Sequence, residues 1–190
     1  TKPHCSLSSL ALAAAASSRG FCSSFEILLL FQSLWIVSIM ASQRGLDKAL
    51  LDAARDGRLD EIRSLLDRHA NIDAVDDNNI TPLHWASSNG HHQCIELLLD
   101  RGANVNAVDT GNKTSLHCAS SNGHHQCIEL LLDRGANINA VATHNSTPLH
   151  WASISSHHQC IELLIDRGAD KSIKDVREDG RDSLLHLLLI

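Results

Sequence analysis

The chain has 190 residues, with 16 lysines and arginines against 22 aspartates and glutamates, for a formal net charge of −6. Three tryptophans, three phenylalanines and no tyrosine leave leucine, isoleucine, valine and alanine to build a core. Residues 1–42 carry a net charge of +1, so the rest of the chain carries −7. An acidic body without a basic stripe lacks the positive surface that binding to phosphates requires, so nucleic acid is not an expected partner.

The first 42 residues share no motif with the rest of the chain, and we treat them as a non-repeat N-terminal segment. Residues 27–43 form a charge-free, mostly apolar run at the short end of what can cross a bilayer, and Gln32, Ser33 and Ser38 weaken it. Met40 is the single methionine and would make a natural start. Three interpretations stay open: artefactual translation upstream of Met40, a membrane segment over residues 27–41, or a packed helix.

A 33-residue repeat begins after this segment. Thr-Pro-Leu-His-Trp-Ala at 81–86 returns as Thr-Ser-Leu-His-Cys-Ala at 114–119 and again in its first form at 147–152. Residues 86–104 and 119–137 are identical, and a weaker copy runs from Leu46 to Ala70. Self-similarity at a fixed period indicates a stack of equivalent units. We therefore expect a repeat domain over residues 43–190, with copies at about 44–76, 77–109, 110–142 and 143–175 and a partial copy at 176–190.

Each copy is predicted to fold as helix, turn, helix and loop. Thr81 can cap the first helix through its hydroxyl, with Pro82 at the first helical position, where a missing N–H costs nothing. Gly90 separates the two helices, and the second helix over His92–Asp100 carries a broad apolar face. Gly102 supplies a left-handed residue that ends it. The predicted fold class is all-α.

These motifs resemble the ankyrin repeat, whose 33-residue period and T-P-L-H-x-A signature they share over roughly residues 44–186. The resemblance implies an ankyrin repeat solenoid of stacked helix-turn-helix units with hairpin-like loops. It also implies a protein–protein interaction module that is not an enzyme and uses no cofactor. Compared with the family, Asn79, Asn112 and Asn145 stand where glycine is common, and His69 and Ser156 replace further glycines. The last two should each cost about 1 kcal/mol if the backbone there needs positive φ.

The tetrapeptide His-His-Gln-Cys, at 91–94, 124–127 and 157–160, raises a zinc hypothesis, because histidine and cysteine are zinc ligands. However, Cys94 falls on the apolar stripe with Ile95 and Leu98, and stacked copies would lie about 10 Å apart, beyond reach of one ion. We therefore predict buried cysteines and no metal. The resemblance implies that His91 packs and hydrogen-bonds between helices. Cysteines too far apart to pair favour a reducing compartment, and we expect a cytoplasmic protein, or a membrane-associated one if residues 27–41 insert.

A threonine and a histidine three residues apart recur at Thr81 and His84 and at the two equivalent places, His117 and His150. They could be taken for a nucleophile and its base, but a catalytic pair would hardly be present three times. The resemblance implies instead that these side chains hydrogen-bond to each other and to nearby backbone.

The resemblance also implies where a protein partner binds, namely the concave face formed by the loop tips and the first helix of each copy. We expect a monomer that binds one unidentified protein there; the alternatives are an adaptor tethered to a membrane by residues 27–41, or a fragment of a larger ankyrin-containing protein. The predicted contact residues are Asp77, Asn78, Ile80, Trp85, Ser88 and Asn89 in one copy, Thr110, Gly111, Lys113, Cys118, Ser121 and Asn122 in the next, and Thr143, His144, Ser146, Trp151, Ile154 and Ser155 in the third.

Overall fold

The computed structural model describes the backbone of residues 24–176 and the side chains of residues 39–176. The predicted partial copy at 176–190 therefore falls, apart from its first residue, outside the described residues. The chain divides into two compact units, residues 1–42 and residues 43–190. The second unit contains all of the repeated motifs.

The described elements, in chain order, are α1 (Ser24–Asp56), α2 (Leu59–Asp67), α3 (Pro82–Ser88), α4 (His92–Asp100), α5 (Ser115–Ser121), α6 (His125–Asp133), a 3-10 turn (Thr143–Asn145), α7 (Pro148–Ile154) and α8 (His158–Asp166). Between residues 24 and 176 there is no strand. The prediction of an all-α array of helix-turn-helix units is confirmed, and the bounds of α4 are those expected from the sequence.

Helix α1 is longer than the sequence pattern indicated. The first copy was recognised from Leu46, whereas the helix begins at Ser24 and continues to Asp56. The apolar run at 27–41 lies in this helix. No helix in the described range is both long and apolar enough to cross a membrane.

The repeat helices pack in two rows. Helices α3, α5 and α7 contact one another in order and form the inner row, while α2, α4, α6 and α8 form the outer row. Equivalent side chains of successive copies fill the space between them, among them Leu83, Leu116 and Leu149 from the inner row and Ile62, Ile95, Ile128, Leu98, Leu131 and Leu164 from the outer row, all fully buried. Each such side chain contributes about 1.5–3 kcal/mol through its removal from water.

The left-handed positions predicted from the sequence are confirmed. Asn79, Asn112 and Asn145 have φ of 58°, 57° and 62°, and asparagine tolerates this region better than most side chains. His69 and Ser156 also have positive φ, 64° and 57°, so each stands in a conformation that favours glycine.

Ser115 occupies the first turn of α5, where the neighbouring copies carry Pro82 and Pro148. Its side chain is fully buried and its Oγ makes no hydrogen bond. The preceding Thr114 is extended, with φ −92° and ψ 168°, which is the conformation that a following proline requires. We expect Ser115→Pro to raise the free energy of unfolding by about 1–2 kcal/mol, because it removes an unsatisfied buried hydroxyl and restricts the unfolded chain. Urea unfolding of the full chain measures this.

The control for this change is Ser115→Ala, which removes the hydroxyl without fixing φ. It should stabilise the chain less than proline does, since only the unsatisfied group is relieved. A proline variant that is less stable than the original chain would show that α5 does not begin as α3 and α7 do.

Candidate functional site

Each inner helix is fixed at its start by a threonine and a histidine. In α3 the Nδ1 atom of His84 accepts the backbone N–H of Thr81 at 3.2 Å and lies 2.8 Å from its Oγ1. The other ring nitrogen, Nε2, lies 3.0 Å from the carbonyl oxygen of Lys113, in the loop of the next copy. The ring therefore joins the start of one helix to the following loop, as the resemblance implied, and the hydroxyl is occupied as a helix cap.

Burial favours the neutral form of the His84 and His117 rings. Burial lowers the pKa of His117 from 6.5 to about 4, although the carbonyl of Ser146, 3.2 Å from its Nε2, opposes the shift. Burial also lowers the pKa of His84, against the opposing effect of the Lys113 carbonyl. A neutral ring that accepts at Nδ1 and donates at Nε2 satisfies both of its partners at once.

A second histidine joins the copies beside the turn between helices. Nε2 of His124 lies 3.1 Å from the carbonyl oxygen of Ser88 in the preceding copy, and His157 makes the same contact with Ser121. The His124 ring covers Gly90 so closely that a Cβ on that glycine would lie 2.7 Å from Nδ1. The inter-helix role predicted for His91 is confirmed by its contact with Arg55 O at 2.9 Å.

The loop tips that precede the inner helices are organised by an aspartate. Oδ1 of Asp76 accepts the backbone N–H groups of Asn78 and Ile80 at 2.8 and 3.0 Å, and Asp109 accepts the two equivalent groups of its own loop. These aspartates were not predicted from the sequence, although their 33-residue spacing was a usable signal. The third tip carries Ala142 instead and turns differently, with His144 at φ 62°.

Backbone hydrogen bonds connect successive tips. The N–H of Thr110 donates to Asn78 O at 3.0 Å, and the N–H of Thr143 donates to Gly111 O at 3.0 Å. The N–H of Val176 then donates to His144 O at 2.8 Å. Each tip is therefore held by hydrogen bonds within its own loop and by a backbone hydrogen bond to the neighbouring tip. These bonds fix the backbone that carries the exposed side chains.

Three residues that follow the motif histidine lie along the inner row: Trp85, Cys118 and Trp151. All three are half-buried. The guanidinium carbon of Arg55 lies 5.5 Å from the centre of the Trp85 ring, and Nζ of Lys113 lies 5.8 Å from that of Trp151. Burial raises the pKa of the Cys118 thiol to about 11, so it is neutral at pH 7 and is not an activated nucleophile.

The predicted contact residues are exposed or half-buried in the structure, with one exception. Ser146 is buried, and its hydroxyl donates to Oδ2 of Asp175 at 2.9 Å, so we leave it out of the surface. The others are exposed or half-buried, and we call them the tip surface: Asp77, Asn78, Ile80, Trp85, Ser88, Asn89, Thr110, Gly111, Lys113, Cys118, Ser121, Asn122, Thr143, His144, Trp151, Ile154 and Ser155.

The His-His-Gln-Cys tetrapeptides have a structural role in the described chain. Cys94 is 2% exposed in the core, and burial raises the pKa of its thiol. Its neighbour His91 is engaged with the backbone of the preceding copy. Among the described side chains, those of residues 39–176, no three histidine, cysteine or acidic groups are placed to hold a metal ion.

Comparison with known proteins agrees with this architecture. Residues 106–175 match the family described as ankyrin repeats (3 copies), and residues 50–99 match ankyrin repeats (many copies). A search of curated proteins found no match to the chain. The matched ranges cover the repeated motifs, the two helical rows and the tips described above, and the chain therefore belongs to the ankyrin repeat family.

Proposed function

We propose that this protein is a binding scaffold that holds a protein partner against the tip surface. Ankyrin repeats are generally protein–protein interaction modules. The observation that carries the proposal is that the copies share an almost identical frame while their tips differ. Residues 86–104 and 119–137 are identical, whereas the tips read Asp-Asp-Asn-Asn, Asp-Thr-Gly-Asn and Ala-Thr-His-Asn.

The tip surface favours a partner with an apolar patch. Trp85 and Trp151 supply large, rigid rings, the residue type most often found as an anchor in interfaces. Ile154 is 42% exposed beside the second of them. Arg55 and Lys113 stand over the two rings, but each already pairs with a carboxylate of this chain, Asp52 at 2.6 Å and Asp109 at 3.4 Å, so the rings and not the cations carry the proposed contact. This separates the partner from a nucleic acid, which the acidic body repels.

We further propose that the protein acts as a monomer in the cytoplasm. The described cysteines, Cys94, Cys118, Cys127 and Cys160, are all free thiols, as a reducing compartment maintains them.

The tips are already joined to one another by backbone hydrogen bonds, so a partner orders little of the scaffold on binding. Low ordering cost leaves more of the contact energy for affinity.

Trp85→Ala combined with Trp151→Ala is the decisive variant. We expect its affinity for a partner, identified by proximity labelling of the full chain, to fall at least about thirtyfold, since loss of an interface anchor costs about 2 kcal/mol or more. Isothermal titration measures this. The matched control is Gln126→Ala with Gln159→Ala, two exposed positions of the outer row, which should bind as the original chain does. A folded double tryptophan variant with full affinity would place the binding site elsewhere.

A further inference from the structure

A groove lies at the first copy, and neither Trp85 nor Trp151 lines it. It encloses about 370 Å³ between the repeat part of α1 and the loop that follows α2. We call it the N-terminal groove, and its lining residues are Arg44, Asp47, Lys48, Leu51, Asn71, Asp73, Ala74 and Val75.

The groove exists because the first copy lacks two features of the later ones. Residues 43–48 are helical, while the corresponding residues 76–81 of the next copy form a tip and a cap. Leu51 stands at the position of His84, whose ring fills the space toward the following loop. An aliphatic side chain cannot make that hydrogen bond, so Leu51 lines the groove and does not bridge α1 to the following loop as His84 does.

The four α1 residues of the groove share one helix face, since 44, 47, 48 and 51 follow the spacing of a helical stripe. Asp47 is engaged internally: its Oδ1 accepts the N–H of Asn71 at 2.8 Å and Nε2 of Gln43 at 2.9 Å. Oδ1 of Asp73 likewise accepts the N–H of Asn104 at 3.0 Å. Both carboxylates thus accept hydrogen bonds from groups of this chain.

The two cations of the groove are not used in this way. Arg44 and Lys48 are exposed, and within the described part of the chain neither makes an ion pair. Several other arginines of the repeat unit are paired, for example Arg134 with Asp100 at 2.6 Å, whereas Arg63 and Arg68, like Arg44, make no ion pair in the described part of the chain. Beside the two cations, Val75 presents an aliphatic side chain that is 52% exposed. The groove therefore offers unused N–H donors next to an apolar wall.

We propose that the N-terminal groove binds an extended acidic segment of a protein, in which two carboxylates two residues apart are followed by an aliphatic side chain on the same face. Alternate residues of an extended chain lie about 6.7 Å apart, close to the spacing of about 5–6 Å between Arg44, Lys48 and Leu51 along the helix. The carboxylates meet the two cations, and the aliphatic group meets Leu51 and Val75. Residues 1–38 contain a single acidic residue, Glu26, so the chain's own first segment does not fit this description.

The proposal goes beyond the tip surface while resting on the same general function, protein binding. It is tested on the full chain with a fluorescein-labelled peptide, Ser-Glu-Ser-Glu-Ser-Val-Ser, by fluorescence polarisation at low salt. We expect saturable binding that Arg44→Glu with Lys48→Glu weakens at least about tenfold, because two attractions become two repulsions. The matched control is Arg63→Glu with Arg68→Glu, which makes the same change in net charge at two exposed positions outside the groove. It should alter the affinity for the peptide less than about threefold.

Several outcomes would overturn the proposal: no binding by the original chain, equal losses in the two charge-reversed variants, or equal binding of a peptide with lysine in place of glutamate. If the chain self-associates and Arg44→Glu with Lys48→Glu abolishes this self-association, the groove binds a second copy and the proposal is also overturned.

If charge reversal unfolds α1, the variant Arg44→Gln with Lys48→Gln is used in its place, with an expected loss of affinity of about threefold. Full probe binding by Trp85→Ala with Trp151→Ala would support an independent site whatever becomes of the tip surface.

Discussion

Gly123→Ala is expected to lower the free energy of unfolding by about 3 kcal/mol and the melting temperature by roughly 6–12 °C. Gly123 has φ 76°, and a Cβ built on it would lie 2.7 Å from Nδ1 and 2.8 Å from Cε1 of His157. That ring cannot retreat freely, because its Nε2 lies 3.1 Å from Ser121 O and anchors one copy to the next. The added methyl group therefore separates two copies as well as straining one residue. Thermal unfolding of the full chain measures the effect.

The matched control is Gly135→Ala. Gly135 has φ 84°, but a Cβ there would meet nothing within 4 Å, so only the backbone strain of about 1 kcal/mol applies. Adding His157→Ala to Gly123→Ala removes the collision, and the two changes should together cost less than the sum of their separate effects. Equal losses at Gly123 and Gly135 would mean that the histidine contact contributes nothing to the stacking of copies.

The stability of the repeat unit is expected to fall steeply as the pH drops from 6.5 toward 4. Unfolded histidine takes up a proton near pH 6.5, whereas buried His117 resists protonation until its pKa of about 4. The unfolded state therefore binds more protons in this window, and stability falls with decreasing pH by about 1.4 kcal/mol per pH unit for this residue. His84, whose pKa is lowered for the same reason, adds to the slope. Below pH 4 the contribution of His117 is fully lost.

Urea unfolding at pH 7, 6 and 5 tests this linkage. His117→Gln is destabilised at pH 7 but should show a slope that is flatter by about 1.4 kcal/mol per pH unit, since one buried titrating group is gone. The matched control is His125→Gln, which makes the same substitution at an exposed position of α6. If the His117 variant keeps the original slope, acid sensitivity arises elsewhere in the chain.

Most of the repeat architecture could be predicted, because its determinants are local and occur several times. Neighbouring residues were enough to predict the cap by Thr81, the left-handed Gly102 and the apolar stripe of Cys94, Ile95 and Leu98. The 33-residue repetition then fixes which residues of successive copies are equivalent. The start of α1 was not predicted, since an apolar run without a cap signal does not mark where a helix begins.

The site was predictable only in outline. Trp85 and Trp151 were predicted as contact residues because each follows the motif histidine. The cations that lie over their rings could not be predicted, because they depend on how the copies stack. Arg55 comes from the preceding copy and Lys113 from a tip one copy away, 30 and 38 residues distant in the chain. Ser146 shows the converse error, because a tip position that is half-buried in the other copies, at Ile80 and Lys113, becomes buried where Asp175 of the next loop accepts its hydroxyl.

The contacts between copies also have translational symmetry, which bears on how the length of such a chain can change. Excision of residues 110–142 would bring Ser146 to the place of Lys113, so His84 would meet the same carbonyl that His117 now meets. Arg167 would likewise inherit the partner of Arg134, Asp100. Both of these contacts between copies would therefore be made again by equivalent residues of the neighbouring copy. Tandem duplication or loss of one copy can thus lengthen or shorten the reach of the protein by about 10 Å without evolving a new interface.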